Sequence, residues 1–183
     1  LAPPKDEDEP LPPPRAVVKQ WTLDELAKLA AAEDSQGDAK RGAELFRAAL
    51  CSRCHRAGAN GPAVGPDLSF VAARFSRRDI LHSILAPAAA VAEQYRNSEI
   101  ITADGRTLTG RVVAEGDYRS EKLLINVDPL RPSKVVEIDK KEIAEHRLLG
   151  TSPMPAGLLD GFTAAEVRDL LAFLEKPQTM TQP

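Results

Sequence analysis

Two cysteines and a histidine lie within one run of five residues, Cys51-Ser52-Arg53-Cys54-His55. Covalent haem attachment needs two thiols that reach the two vinyl groups of one porphyrin, and an imidazole that then lies under the iron. The spacing Cys-x-x-Cys-His meets both demands and is typical of a c-type haem site. The sequence therefore predicts that Cys51 and Cys54 bind one haem c covalently and that His55 ligates its iron.

Three other interpretations of the motif stay open at this point. A thioredoxin-like redox pair also uses Cys-x-x-Cys, but it is expected in a βαβ context, whereas helices are predicted around this motif. A structural zinc site needs four ligands, and the other two histidines, His82 and His146, are single and far apart. A chance match without chemistry is the third.

The opposite side of the iron needs a second ligand, and Met154 is the candidate. Haem iron held by His and Met is common in electron carriers, and the thioether raises the reduction potential. Met154 lies in Thr151-Ser152-Pro153-Met154-Pro155, where the prolines stiffen the loop. The alternatives are that Met154 fills a core, which is a common use of Met, that His82 is the ligand, or that the sixth position is open or water-occupied. Met180 lies in a polar tail after Pro177 and is a weaker candidate.

The segment after the motif supplies candidates for the surroundings of the haem. The proximal His needs an acceptor for its other ring nitrogen, and a backbone carbonyl of Gly65-Pro66-Asp67-Leu68 is expected to provide it. Leu68 is expected to cover a haem face. The alternative is an ordinary Gly-Pro turn. Arg74, with Arg77 and Arg78, is a candidate for neutralising the propionates, or these arginines form a solvated helix start.

Helical periodicity and capping signals indicate the elements that must position these residues. Thr22 and Thr163 each begin a capping box. Apolar residues at helical spacing predict helices over 23–33, 39–49, 76–85 and 163–174. The second helix leads directly into Cys51.

The periodicity changes to a strand-like pattern between the motif and Met154. Asp104-Gly105 is a strong hairpin signal between strands predicted at 99–103 and 107–114. Further strands are predicted at 122–127 and 134–138, with a turn at Gly116-Asp117. We expect a small antiparallel sheet of three to five strands, with His146 following it in solvent.

Composition restricts the partners and adds an expectation about location. The 183 residues carry a formal charge of −3, with a pI near 5.7, which gives no electrostatic reason to expect nucleic acid or an anionic membrane as partner. No apolar run is long enough to span a bilayer. The sequence starts at Leu1 without an export signal, so we expect a processed chain or a fragment. Because haem c is normally attached outside the cytoplasm, we expect an extracytoplasmic (periplasmic or secreted) protein.

The motifs together resemble class I cytochromes c. The resemblance lies in Gly42-x-x-x-Phe46, the Cys-x-x-Cys-His motif, Gly65-Pro66-x-Leu68, Met154-Pro155 and the closing helix. The chain looks more closely like the C-terminal haem-binding domain of large exported planctomycete and verrucomicrobial proteins. That resemblance is carried by Trp21-Thr22-Leu23-Asp24, Val64-Gly65-Pro66-Asp67-Leu68, Arg74-Phe75-Ser76-Arg77-Arg78-Asp79-Ile80, Asp104-Gly105-Arg106 and Met154-Pro155-x-Gly157-Leu158-Leu159-Asp160. Pro153 departs from the pattern, which has an apolar residue before the methionine.

The resemblance implies a mainly α fold, namely the class I cytochrome c helical fold with a small antiparallel sheet inserted between the haem motif and the methionine loop. The domain boundaries that we expect are a Pro-rich acidic linker at 1–21, a helical extension at 22–36, a cytochrome core at 37–94 and 149–176, a β insertion at 95–148, and a tail at 177–183.

The leading functional hypothesis is an electron carrier, not an enzyme, with His/Met ligation and a redox partner protein or an upstream dehydrogenase domain as donor. Two alternatives stay open. One is a haem protein with a labile sixth site, peroxidase-like or gas-sensing. The other is an interaction module that works through the β insertion, which also offers a homodimer contact.

Overall fold

The chain folds as two units, one built from helices and one from strands. The computed structural model describes residues 11, 13–32, 36–58, 61–62, 64–114 and 120–176. Unit 1 comprises the chain up to Ala86 and again from Ala156, and unit 2 comprises Pro87–Pro155. The predicted turn at Gly116-Asp117 and Met180 lie outside the described residues.

The described residues of unit 1 form four α-helices, and each begins at a side chain that caps its free backbone N–H groups. The helices are α1 (Leu23–Ala31), α2 (Ala39–Ala48), α3 (Arg77–Leu85) and α4 (Ala164–Glu175). Their N-caps are Thr22, Asp38, Ser76 and Thr163. The capping boxes predicted at Thr22 and Thr163 are confirmed, because each hydroxyl accepts from the N3 backbone and each N3 glutamate accepts from the cap. Helix α1 ends two residues before the predicted bound.

The core of unit 1 is organised by the close packing of α2 against α4. A β-carbon on Gly42 would lie 2.0 Å from the carbonyl oxygen of Asp169 and 2.7 Å from Cβ of Phe173, so only glycine allows this approach. One turn further along α2, the ring of Phe46 packs on that of Phe173 with centroids 5.2 Å apart. The Gly-x-x-x-Phe spacing of α2 therefore joins the N- and C-terminal parts of unit 1. Helix α2 ends directly before the cysteine motif, so this packing also fixes where the motif begins.

The segment before α1 is bound to unit 1. The backbone N–H groups of Val18 and Lys19 donate to the carbonyl of Asp160, at 2.7 and 3.1 Å, and the indole of Trp21 donates to the Phe162 carbonyl at 3.1 Å. Arg15 forms a 2.7 Å ion pair with the buried Glu166. Of the residues that the sequence assigns to a linker at 1–21, four from Arg15 onward thus make specific long-range contacts, which composition alone does not reveal.

Unit 2 is a five-stranded antiparallel sheet with the strand order β4-β3-β2-β1-β5. Its strands are β1 (Ser98–Thr102), β2 (Thr107–Ala114), β3 (Lys122–Asn126), β4 (Val135–Asp139) and β5 (Ile143–Leu148). Gly105, at φ +85°, forms the turn of the predicted β1–β2 hairpin, and Ile100, Leu123, Ile125 and Ile138 form a separate small core. Unit 1 is helical and unit 2 is a sheet, so "mainly α" describes unit 1 only.

Strand β5 corrects the expectation for His146. It returns to pair with β1, so that Glu99 lies opposite Arg147 and Ile100 opposite His146. His146 therefore lies within the sheet and not after it, but it is exposed as expected, with its Nε2 3.0 Å from the hydroxyl of the buried Ser98. Within the part of the chain that the structure describes, no helix is long and apolar enough to cross a membrane.

Candidate functional site

The cysteine motif follows α2 through a sharp reversal of the backbone. Leu50 adopts the left-handed conformation, with φ 62° and ψ 11°, and a 3₁₀ turn covers Cys51–Arg53. Left-handed backbone is unfavourable for a residue with a side chain such as leucine, so the surrounding structure must hold it in place. The reversal ends α2 and directs the motif away from the helix axis.

The three predicted ligand residues lie on one helical turn. The backbone N–H groups of Cys54 and His55 both donate to the carbonyl of Cys51, at 3.2 and 2.9 Å. Residues at positions i, i+3 and i+4 of such a turn lie on the same side. The turn therefore presents two thiols and one imidazole to the same region, which is the donor set that covalent haem attachment requires.

The imidazole of His55 is oriented by the loop that follows. Its Nδ1 lies 2.8 Å from the carbonyl oxygen of Pro66, which can only accept a hydrogen bond. Nδ1 must therefore carry the proton, and Nε2 is left with a lone pair for a metal. The loop itself is anchored on the motif, because Gly65 N–H donates to the Cys54 carbonyl at 2.7 Å and Leu68 N–H donates to the Arg56 carbonyl at 2.8 Å.

Gly65 lies in contact with the face of the His55 ring. A β-carbon at this position would lie 2.7 Å from Cε1, 2.9 Å from Nδ1 and 3.2 Å from Nε2 of the imidazole. The first two distances are shorter than real Cβ contacts. The ring can occupy its place only because residue 65 has no side chain. Gly65 and Pro66 thus act together: one leaves room for the ring and the other fixes its rotation.

Burial sets the protonation of both kinds of donor. Burial lowers the pKa of His55 below its usual value, against the opposing effect of the hydrogen bond to Pro66, so the imidazole is neutral at physiological pH and able to bind a metal. Burial raises the pKa of the Cys51 thiol to about 12. A redox-active Cys-x-x-Cys pair works through a thiol of lowered pKa, so the direction of the shift at Cys51 gives the thioredoxin-like interpretation no support.

The rest of the loop is held by polar contacts on one side and by the core on the other. The Ser69 hydroxyl accepts from the Gly58 N–H at 2.9 Å and donates to the Asp67 carboxylate at 2.6 Å. Leu68, like Cys51 and Val71, is partly buried against the core of unit 1. Arg53 Nη1 is buried and has no hydrogen-bond partner among the described residues. A bound anionic or polar group beside the motif would satisfy it.

The arginines predicted to neutralise propionates are placed differently from one another. Arg77 Nε and Nη2 bind the two oxygens of Glu175 at 2.6 and 2.9 Å, and its Nη1 donates to the Ala30 carbonyl at 3.0 Å. It therefore ties α3 to α1 and α4. Arg74 is exposed, with its guanidinium 5.5 Å from the centroid of the Phe75 ring. A propionate role for Arg74 stays a prediction.

The predicted sixth ligand lies in unit 2, close to its end. Met154 is half-buried, and its backbone N–H donates to the Ser152 hydroxyl at 3.1 Å. His82 lies in α3 within unit 1. Among the described residues, no group of three or more His, Cys, Asp or Glu side chains is arranged as a metal site, so the zinc interpretation gains no support.

Comparison with protein families identifies the part of the chain that holds the motif. Residues 39–103 match the family model for cytochrome c. The match begins at the first residue of α2, contains the cysteine motif and the Gly65–Leu68 loop, and ends after β1. It covers about a third of the chain and does not reach Met154. No curated protein matches the chain.

The cofactor follows from this match and from the donor set. Cytochrome c domains bind haem c covalently, usually one haem per domain, and the cofactor of this chain is haem c. The residues fit it: two thiols and a neutral imidazole lie on one turn, and a glycine and a carbonyl hold the imidazole ring. The sequence predicted the loop and its carbonyl acceptor, and the ligand roles of Cys51, Cys54 and His55 stay predictions. The contribution of Gly65 as space for the ring needed the structure, because a Gly-Pro pair is also common in ordinary turns.

Proposed function

We propose that the protein is a single-haem electron carrier in which His55 and Met154 are the axial ligands, and that it passes one electron at a time between redox partners. The observation that carries the proposal is the orientation of His55, with Nδ1 bound to the Pro66 carbonyl and Nε2 available to iron. The match to cytochrome c supports the haem-binding and electron-transfer character.

The chain's own residues prepare the site in three ways. Cys51 and Cys54 supply the thiols for the two thioether bonds, which would keep the haem attached in both oxidation states of its iron. Pro66 fixes the tautomer and rotation of His55, and through that hydrogen bond it raises the basicity of the ligand nitrogen. When bound, haem c supplies the reversible one-electron change of its iron. A site held this firmly changes little between oxidation states, which favours fast electron exchange.

Support for Met154 comes from its sequence context and from ligand chemistry. Prolines on both sides restrict the backbone of the loop, and a thioether is a common partner of His in electron-transfer haems. An iron with two protein ligands has no vacant position for a substrate, which favours a carrier over an enzyme. Three expectations stay predictions from the sequence. They are an upstream dehydrogenase domain or a separate redox protein as donor, an extracytoplasmic location, and a homodimer contact through the β insertion.

Substitution of Met154 tests the ligation directly. In Met154→Leu we expect the long-wavelength thioether-to-iron absorption band to vanish. The reduction potential should fall, because a thioether ligand raises it. The matched control is Met180→Leu, at the only other methionine of the chain, which should keep both properties.

Two measurements on the wild-type protein distinguish an electron carrier from a haem protein with a labile sixth site. A reversible one-electron redox titration and slow CO binding to the reduced wild-type protein are expected for His/Met ligation. Two results together would show a labile sixth site and contradict the proposal. The reduced wild-type protein would bind CO rapidly, and Met154→Leu would have the same absorption spectrum as the wild type.

A further inference from the structure

Strand β5 forms one edge of the sheet in unit 2, and no strand of the described residues pairs with its outer side. Residues 144–148 of this strand are exposed. Its inner side is bonded to β1, where Leu149 N–H donates to the Asn97 carbonyl at 2.8 Å and Arg147 lies opposite Glu99. Backbone groups of alternate residues point to opposite sides of a strand. The groups of residues 145 and 147 therefore face β1, and those of residues 144, 146 and 148 face outward.

The charges of β5 are of both signs and lie on one face of the sheet. An exposed strand edge can pair with another strand, and proteins use charged residues to decide whether it does. Arg147 forms an ion pair with Glu99 on β1. Glu145 lies opposite the apolar Ile101 and forms no ion pair with any described residue. A second strand on the outer side with a basic residue at this position would neutralise Glu145.

A second copy of β5 supplies that basic residue in one register. Outward groups bond to each other in an antiparallel pair of identical strands only when the two-fold axis passes beside a residue. An axis at Glu145 or at Arg147 would set like charges opposite each other. An axis at His146 sets Glu145 of each copy opposite Arg147 of the other. It also sets Leu148, which is 43% exposed, opposite Ala144, and it allows about six hydrogen bonds between the strands.

The opposite edge of the sheet lacks this self-complementarity. Strand β4 contains Glu137 and Asp139 and no basic residue, so two copies of it cannot match opposite charges within the strand. Glu137 is already paired with Lys122 of β3, at 2.5 Å. The capacity to match its own charges in a second copy therefore belongs to β5.

We infer that β5 pairs antiparallel with β5 of a second copy of this chain, about a two-fold axis at His146, and joins the two sheets into one. Opposite charges directly across two strands stabilise the pair, and a two-fold axis makes each such contact twice. One strand per copy is a small interface, so the pairing is reversible and depends on concentration. The inference does not rest on the proposed electron transfer.

The first test uses the haem-loaded full chain at low ionic strength over a range of concentrations. Sedimentation should show a reversible equilibrium between monomer and dimer that salt weakens, because the matched charges are exposed. Amide hydrogen exchange gives the local readout. The exchange of residues 144, 146 and 148 should slow as the concentration rises, because their outward N–H groups become bonded in the dimer.

Charge-reversed variants test the register. Glu145→Arg should raise the dissociation constant of the dimer by about tenfold or more, because two attractive contacts become repulsive. Glu99→Arg combined with Arg147→Glu keeps the ion pair within the chain and should weaken the dimer in the same way. An equimolar mixture of these two proteins should dimerise, since each copy then meets the opposite charge. Glu121→Arg is the matched control, an exposed reversal outside β5 that should leave the dimer unchanged.

Three results would overturn the pairing. The first is a wild-type chain that stays monomeric at every concentration, which would mean that the charges only protect the edge. The second is a dimer that leaves the exchange of residues 144, 146 and 148 unchanged. The third is a mixture of the two variants that stays monomeric while both keep the wild-type Tm. If a variant does not fold, the amide exchange of the wild type decides.

Discussion

Replacing Gly65 by alanine tests how the protein holds its haem ligand. The new β-carbon would lie 2.7 Å from Cε1 and 2.9 Å from Nδ1 of His55, whereas ordinary contacts begin at 3.4 Å. The ring must therefore move by about 0.5–0.7 Å. A shift of that size away from Pro66 would lengthen the 2.8 Å contact of Nδ1 to about 3.4 Å, where little hydrogen bonding remains.

The expected cost in stability has two parts. Overpacking of a filled site costs about 1–3 kcal/mol, and the loss of a neutral hydrogen bond costs about 0.5–1.5 kcal/mol. We expect the free energy of unfolding to fall by about 2–4 kcal/mol and Tm by about 5–15 °C. The reduction potential should rise by about 20–60 mV, because a less basic imidazole stabilises the ferric state less.

The assay is thermal unfolding of the haem-loaded protein, followed at the haem absorption bands, together with a redox titration. Gly150→Ala is the matched control, since a β-carbon there would meet nothing within 4 Å. If Gly65→Ala matches Gly150→Ala in Tm and potential, then the contact between residue 65 and the ring does not hold the ligand, and the reasoning is refuted.

Two further predictions concern the frame around the site. In Gly42→Ala the β-carbon would lie 2.0 Å from a backbone oxygen of α4, so we expect a loss of about 3 kcal/mol or more in chemical denaturation, and wild-type stability would contradict this packing. Arg77→Gln removes the two-point contact to Glu175 and should cost about 1–2 kcal/mol. The hydrogen bond from Arg77 lowers the pKa of Glu175, so its stabilisation is present above the ordinary carboxyl pKa and is lost as pH falls through the folded value. The stability of Arg77→Gln should therefore depend less on pH in the acid range than that of the wild type. The measurement is a series of denaturant unfolding curves at different pH values. If both proteins lose the same stability as the pH falls, the stabilising role of this ion pair is refuted.

Local signals in the sequence predicted most of the secondary structure. A capping box depends on contacts between residues three positions apart, and the hairpin at Asp104-Gly105 depends on the residues of the turn itself. Both can therefore be predicted from the sequence. The cysteine motif is local for the same reason, because five consecutive residues carry the whole donor set. The helices and four of the strands lie within a few residues of their predicted bounds.

The features that the sequence did not predict depend on contacts between distant residues. Strand β5 pairs with β1 rather than with its neighbour in the chain, and its charged residues hide the strand pattern. The segment at 15–21 looks like a linker by composition, and its partners Asp160, Phe162 and Glu166 lie more than 140 residues away in the chain. The ion pair between Arg77 and Glu175 is of the same kind, because its partners are 98 positions apart in the chain.

The intact mass of the denatured protein, isolated from cells that attach haem c, tests the central claim most directly. We predict a mass increase equal to one haem that survives denaturation and acidified-solvent extraction, and its loss when Cys51 and Cys54 are both replaced by alanine. An unmodified mass for the wild-type chain, or a haem that the solvent removes, would contradict covalent attachment at this motif.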